Sequence, residues 1–267
     1  MAYEVLTFDK YREAGGRGSY DKGVLSSTLS KWSEFYDEVR RFRGHRDYVW
    51  RGQRGSGEGW TLRSKFDRGN NAGNRKKLLE KHLDQFRKAI RGRRGTNPPE
   101  LNEDNLWALG QHHSLATPLL DWTESPFVAA YFALVKRTED EKENKSGRVV
   151  YGLNRDSDRW YRRVEDKKQY FIEFPLIDAH ENVRLLAQAG VFTKALEGQD
   201  IKERIQRCYH EKNHRGRIIL VEIFIPDRDR EECLSDLNGM NINHASLFPD
   251  IYGSAIFSNL KLEIDEY

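Results

Sequence analysis

Apolar residues fall into a few clearly phased windows along the chain. Trp32, Phe35, Tyr36, Val39 and Phe42 recur at helical spacing and predict a helix over 28–43. Tyr48-Val49-Trp50-Arg51-Gly52-Gln53 alternates as a short strand, with Tyr48 and Trp50 on one face and Val49 and Arg51 on the other. Residues 54–73, rich in Gly, Ser, Arg and Asn, read as a loop. The stripe Leu78, Leu79, His82, Leu83, Phe86 and Ile90 predicts a helix over about 75–91, with His82 as a core histidine. Asn97-Pro98-Pro99 breaks the chain, and Asn102 is a fitting cap for a helix from about 102. Ser125-Pro126 opens another helix, and Phe127 to Val135 is apolar all round, which predicts a central, buried helix.

The second half continues the alternation of element types. A charged connector at 138–146 precedes a strand at Arg148–Leu153. A helix or turn at 181–188 leads into a strand at Gly190–Thr193. Arg217–Ile225 is a strong strand on which Ile218, Leu220, Glu222 and Phe224 share one face. Two short helices follow, near 229–238 and 249–259. With neither an internal repeat nor a long linker, one α+β domain over 1–267 is expected, a mixed, mostly antiparallel sheet with flanking helices.

Composition narrows the class. Hydrophobic residues are 37% and charged residues 33% of the 267, so the 12% aromatics must supply much of the core. No apolar run approaches the roughly 20 residues of a membrane span. Met1–Lys10 carries no signal pattern. A cytoplasmic protein without a membrane partner is expected. Cys208 and Cys233 form neither a disulfide framework nor a metal-ligand spacing. The net charge of +3 says little, but its distribution says more. Arg87, Lys88, Arg91, Arg93 and Arg94 cluster behind Arg75, Lys76 and Lys77. Such a cluster is either an RNA- or polyphosphate-binding surface or a solvated helix face.

Chemistry concentrates between His112 and Pro126, where two histidines, two acids, several hydroxyls and Trp122 are packed together. Polar groups at that density destabilise a fold unless each finds a partner, so a binding or catalytic site is expected there. His112 and His113 are adjacent and point in different directions, and no helix-spaced partner completes a metal site, so no metal is expected. One of them could serve in proton transfer or in ribose binding. Glu222, on an otherwise apolar strand face, is a candidate acid with a raised pKa, or a strand-edge salt bridge.

Four ordered stretches carry a resemblance. Tyr48–Gln53 resembles the Phe/Trp-Arg-Gly signature of the FRG domain family, and Leu109–Ala133 resembles that family's main block, which runs into a Ser-Pro helix. Arg184–Phe192 and Ile242–Asp250 look like its third and fourth motifs. Together they span about 48–255. Ser114, Ala116 and Pro118 depart from the family's Gly, Pro and Arg, and the last change removes a cation beside the expected site. A second resemblance is to ADP-ribosyltransferases, in the order of a strand arginine, a hydroxyl-bearing strand end and a helix ending Ala-Tyr-Phe-Ala.

That second resemblance implies an ADP-ribosyltransferase-like fold, NAD as substrate, and a role as an intracellular toxin or defence effector with a neutralising antitoxin partner. RNA is the favoured acceptor, and protein remains open. Arg51 would fork onto the pyrophosphate, since guanidinium matches phosphate oxygens in two parallel bonds. Asp121, Thr123, Gln188 and Glu222 complete the implied catalytic set, with either Gln188 or Glu222 at the position of the acid. Trp50, Gly52, Gln53, His113, Trp122, Ser125 and Phe192 are the implied NAD contacts. Arg87, Arg91, Arg93 and Arg94 would hold nucleic acid. The alternatives are a non-catalytic nucleotide-recognition module and a metal-free nuclease using His112 or His113 with Asp121.

Overall fold

The computed structural model describes residues 5–44, 48–56, 59–69, 73–137, 147–156, 172–178, 183–210, 214–265 and 267. In chain order these form α1 (Phe8–Glu13), β1 (Ser19–Asp21), β2 (Val24–Thr28), α2 (Phe35–Arg40), β3 (Tyr48–Gln53), α3 (Lys65–Gly69), α4 (Arg75–Ala89), α5 (Glu103–His112), β4 (Leu119–Thr123) and α6 (Pro126–Leu134). There follow β5 (Arg148–Asn154), β6 (Ile172–Glu173), α7 (Val183–Ala187), β7 (Gly190–Ala195), α8 (Ile201–Cys208), β8 (Leu220–Ile225), α9 (Arg230–Gly239), α10 (His244–Leu247) and α11 (Ile251–Glu263). The strands make one mixed sheet in the order β1-β2-β8-β5-β3-β4-β7-β6. Each neighbouring pair is antiparallel except β2 and β8. The expected α+β class and mostly antiparallel sheet are therefore present.

The local signals explain the elements near the site. Asn102 accepts a hydrogen bond from the Asn105 amide and starts α5. Ser125 accepts from the Val128 amide, and Pro126 occupies the first helical position of α6. The helix α6 is buried along Val128–Tyr131 and at Ala133 and Leu134, and packs on β3 and β5. Gly52 lets it approach. A Cβ on Gly52 would stand 1.9 Å from the Ala129 carbonyl oxygen and 2.6 Å from the Ala133 nitrogen. One face of the sheet packs on α6, and the other carries a second core with Ile201 and Ile205 of α8. A third cluster, with Leu83, Leu106, Trp107 and Phe192, lies between α4, α5 and β7.

Several elements differ from the sequence reading. The helix expected over 28–43 begins as a single 3₁₀ turn at Trp32–Glu34 and continues as α2, while Val24–Thr28 before it is a strand. Serines occupy that strand's interior, and the Ser26 hydroxyl bonds Glu222 across the sheet, so hydroxyls stand where apolar residues would have announced it. The loop at 54–73 contains α3. Helix α8 buries only Ile201, Ile205 and Cys208 among charged neighbours, too sparse a stripe to stand out. The charged connector at 138–146 and the start of the 181–188 segment lie outside the described residues. His82 matches the core reading: its Nε2 lies 3.0 Å from the Ala116 carbonyl oxygen and its ring stands beside Phe66 and Trp107. Both cysteines are buried and neither is in a disulfide. Among the described residues no helix is long and apolar enough to cross a membrane.

Candidate functional site

The sheet opens between β3 and β4. β3 pairs with β5 along all six of its residues, but with β4 only through Trp50 and Thr123. A cleft of ≈ 560 Å³ occupies the gap, floored by β3, β4 and β7 and walled by α5, the end of α6, α7, α10 and α11. All four of the ordered sequence motifs border it: Trp50–Gln53, His112 with Asp121–Thr123, Arg184 with Gln188–Phe192, and His244 with Phe248.

Arg51 spans the gap. Its Nη1 donates to the Asp121 carbonyl oxygen at 2.8 Å and lies 3.7 Å from the Asp121 carboxylate. The arginine side chain is only 17% exposed, and its Nε is buried with no hydrogen-bond partner among the described residues. Burial lowers its pKa, Asp121 opposes that, and Arg68 adds to it. A guanidinium keeps its charge throughout. The Asp121 carboxylate, 61% exposed, accepts from the Gln111 amide, whose oxygen in turn accepts from the Thr117 hydroxyl. Gln111, one residue before the paired histidines, is thus the group that aims the acid.

The neighbouring hydroxyl and amide groups hold the backbone together. Thr123 donates to the Gln188 carbonyl oxygen at 2.7 Å and accepts from the Ser125 amide at 3.1 Å. The Gln188 amide nitrogen donates to the Leu247 carbonyl oxygen at 3.0 Å. These bonds join the start of α6, the turn after α7 and the end of α10, so that Gln188 reaches the cleft with its amide nitrogen already engaged. Thr123 is occupied on both sides as donor and acceptor.

The tryptophans differ from expectation. Trp122 is 3% exposed and donates from Nε1 to Thr193 at 2.8 Å, and Trp50 is 4% exposed and packs edge-on to Phe42. They touch the cleft, but neither offers a free ring face for stacking a ligand, because each is part of a core cluster. The aromatic surface along the cleft comes instead from Trp60, Phe132, Phe248 and Tyr252, while Phe192, 5% exposed, belongs to the third core cluster. Gly52 and Gln53 line the cleft as expected; Gly52 is needed for the approach of α6, and the side-chain amide oxygen of Gln53 is buried without a partner among the described residues.

Other expected residues stand elsewhere. His112 lines the cleft, whereas His113, with its ring edge-on at 4.9 Å from His112, is exposed and does not. Ser125 is spent as the cap of α6. Glu222 is off the cleft. Arg51 faces Tyr151 on β5, and Tyr151 faces Glu222 on β8, so a whole strand separates them. Its carboxylate accepts from Lys202 at 2.7 and 2.9 Å and from Ser26 at 2.8 Å. It is a buried salt bridge on an inner strand rather than at an edge. Arg87, Arg91 and Arg93 are exposed near the end of α4 and beyond it, and Arg94 donates to the Pro99 carbonyl oxygen; none lines the cleft.

Two residues unremarked as individuals in the sequence reading prove central. The His244 Nδ1 lies 2.9 Å from the Tyr131 hydroxyl, its ring stacks on Phe248 at 4.3 Å, and its Nε2 is buried without a partner among the described residues. Burial, with Arg184 and Lys136 nearby, pushes the imidazole pKa down to about 4, so it is neutral at physiological pH. Arg184 is tied to Asp250 through Nε at 3.1 Å and sits 5.1 Å over the Phe248 ring. The cleft lining thus holds the cations Arg51, Arg54, Arg68, Lys136 and Arg184 against one carboxylate, Asp121. Such an imbalance in a half-enclosed space favours an anionic ligand. Among the described residues no group of three or more His, Cys, Asp or Glu is arranged to hold a metal.

The family model of the FRG domain matches residues 46–142, a stretch that takes in β3, α3 to α6 and β4. Neither the curated proteins nor the solved structures provide a match to the chain.

Proposed function

We propose that this chain, which carries an FRG domain over residues 46–142, binds NAD in the β3–β4 cleft and transfers its ADP-ribose to a macromolecular acceptor. The observation that carries the reading is Arg51: a half-buried guanidinium with one backbone acceptor, a carboxylate at arm's length and an Nε without a partner among the described residues, at the floor of a cationic cleft. A guanidinium in that state supplies two parallel bonds to the oxygens of a pyrophosphate. The proposed reaction breaks the bond between nicotinamide nitrogen and ribose, whose electron pair leaves with nicotinamide. The ribose becomes oxocarbenium-like, the acceptor's oxygen or nitrogen bonds to its C1′, and the acceptor loses a proton. Asp121, aimed by Gln111 and open to solvent, is the carboxylate available to steady the cationic sugar and take that proton. Gln188 would accept a hydrogen bond from a ribose hydroxyl through its side-chain amide oxygen, its backbone oxygen being held by Thr123.

In this reading RNA is the first acceptor to test, because Arg87, Arg91 and Arg93 form an exposed basic surface. A toxin or defence role and a neutralising partner go with it as further proposals. One observation favours a second reading, a nucleotide-recognition module without catalysis: the lining has a single carboxylate, and that one is mostly exposed. Incubation with NAD labelled on the adenylate, together with RNA, DNA or cell extract, separates the two. The transferase reading expects nicotinamide release and label on a macromolecule, both lost in Arg51→Ala. Tight binding of NAD without turnover supports the recognition module, and absence of both release and binding overturns the assignment of the cleft.

A further inference from the structure

His244, like Arg51 and Gln53, is a cleft residue with a buried polar atom that has no partner among the described residues. The chain fixes this imidazole with unusual care. Asn243 caps α10 through a reciprocal pair of bonds with Ser246, which sets the first residue of that helix, His244, against α6. Tyr131, fully buried in α6, meets its Nδ1 at 2.9 Å, and Phe248 stacks on the ring at an interplanar angle of 16°. His244 is 8% exposed, and Nε2, on the ring edge away from the Tyr131 bond, has no partner among the described residues. A buried polar atom left unsatisfied is a penalty that a fold normally avoids, and a ligand that supplies the missing partner removes it.

We infer that His244 is a second ligand anchor of the cleft, its Nε2 bonding a phosphate oxygen of the nucleotide that Arg51 grips at the sheet. The inference rests on the cleft being a nucleotide site. Two features make the ligand atom an anionic oxygen, which selects the ring tautomer that carries its proton on Nε2 and donates it. Arg184 and Lys136 line the cleft with His244, so the local field favours negative charge. The cleft also continues past this ring into a groove of ≈ 590 Å³ that shares Arg54, Lys136, His244 and Tyr252 with it. His244 therefore stands at the junction of two cationic spaces, where the middle of an extended, phosphate-bearing ligand would lie.

The test is a titration of the full chain, labelled with ¹⁵N-histidine, with ADP-ribose and separately with inorganic pyrophosphate. The His244 resonances are assigned by their titration near pH 4 and by their loss in His244→Gln. On saturation with ADP-ribose the Nε2 signal of His244 is expected to shift and its titration to move to higher pH. A merely structural histidine shows neither change. His244→Ala is expected to weaken binding of both probes about tenfold, with partial recovery in His244→Gln, whose amide also donates. A His244 signal that stays fixed while ADP-ribose binds overturns the anchor. Binding of neither probe overturns both the anchor and the nucleotide reading. Pyrophosphate binding with the shift, but no binding of ADP-ribose, leaves the anchor standing and removes NAD. Should the variants fail to fold, the wild-type titration decides alone.

Discussion

Two arginines on adjacent strands, Arg148 buried and Arg51 half-buried, have opposite fates. Arg148, at the start of β5, is 1% exposed and satisfied: Nε bonds the Asp227 carboxylate, and Nη1 donates to the carbonyl oxygens of Ala133 and Lys136 at 2.9 and 2.8 Å. It closes the C-terminal end of α6, where free carbonyls and the helix dipole favour a cation. Arg51, on β3, bridges an open gap in the sheet and keeps Nε without a partner. The first is a structural residue because its partners are all within the chain. The second has a bonding capacity that no described residue uses, and that unused capacity is what the proposed nucleotide site calls on.

Removing each tests the contrast most sharply. Arg148→Met leaves Asp227 and two helix-end carbonyls unpaired and is expected to destabilise the fold by about 3–5 kcal/mol. Arg51→Met removes an incompletely satisfied charge and should leave stability within about 1 kcal/mol of the parent, while nucleotide binding is lost. Urea denaturation of both variants alongside ADP-ribose titration checks this. Equal destabilisation by the two would mean that Arg51 is a structural arginine after all. A step smaller is Gly52→Ala. Its methyl group would meet the Ala129 carbonyl oxygen at 1.9 Å, a backbone atom that cannot swing aside. Overpacking of α6 against β3 is expected to cost about 3 kcal/mol, read as a lower urea midpoint. A midpoint unchanged by that methyl would show that α6 can lift off the sheet freely.

How much of this was legible in the chain follows from what each signal depends on. The caps Asn102 and Ser125, the all-apolar α6 and the order of the four motifs are local and were readable, because each carries its own pattern; that the motifs converge on one cleft was not. The choice of residue inside a motif was not. Which of His112 and His113 reaches the cleft depends on where α5 ends. The importance of His244 depends on Tyr131, 113 residues earlier, taking one ring nitrogen and leaving the other. Glu222 looked like a desolvated acid because its partner, Lys202, comes from a helix whose apolar stripe is three residues long. The tryptophans looked like stacking platforms because spacing alone does not tell that a ring is covered on both sides.

The neutral state of His244 has a consequence for stability. Its pKa falls from 6.5 to about 4 on folding, mainly through burial, with Arg184 and Lys136 disfavouring the charge and Asp250 partly opposing them. The folded state therefore binds a proton less readily than the unfolded state. The stability this group permits is complete above about pH 6.5 and declines as pH falls toward 4. Between pH 7 and pH 5 the linked loss is about 2 kcal/mol. Urea midpoints measured at both values should fall for the parent and fall less for His244→Gln, which cannot take up a proton. A parallel decline in the two proteins would assign the pH dependence to other groups.

The smallest expected effect bears on where the chemistry is. Glu222→Gln keeps the shape of the side chain and removes the charge that faces Lys202. Lys202 is partly exposed and can turn its ammonium to water, so the loss should be about 1 kcal/mol rather than that of a fully buried pair. Ser26 can still donate to the amide oxygen. Because Tyr151 and a full strand spacing stand between Glu222 and Arg51, nicotinamide release in the labelled-NAD assay should be unchanged. Asp121→Asn, in contrast, should abolish release while leaving NAD bound, since it alters the only carboxylate on the cleft lining among the described residues. If the two outcomes are reversed, the acid of the reaction is the buried one, and the sheet must open between β3 and β5 to bring it to the substrate. The continuous six-residue ladder between those strands makes that opening a large rearrangement, whereas the gap between β3 and β4 already exists.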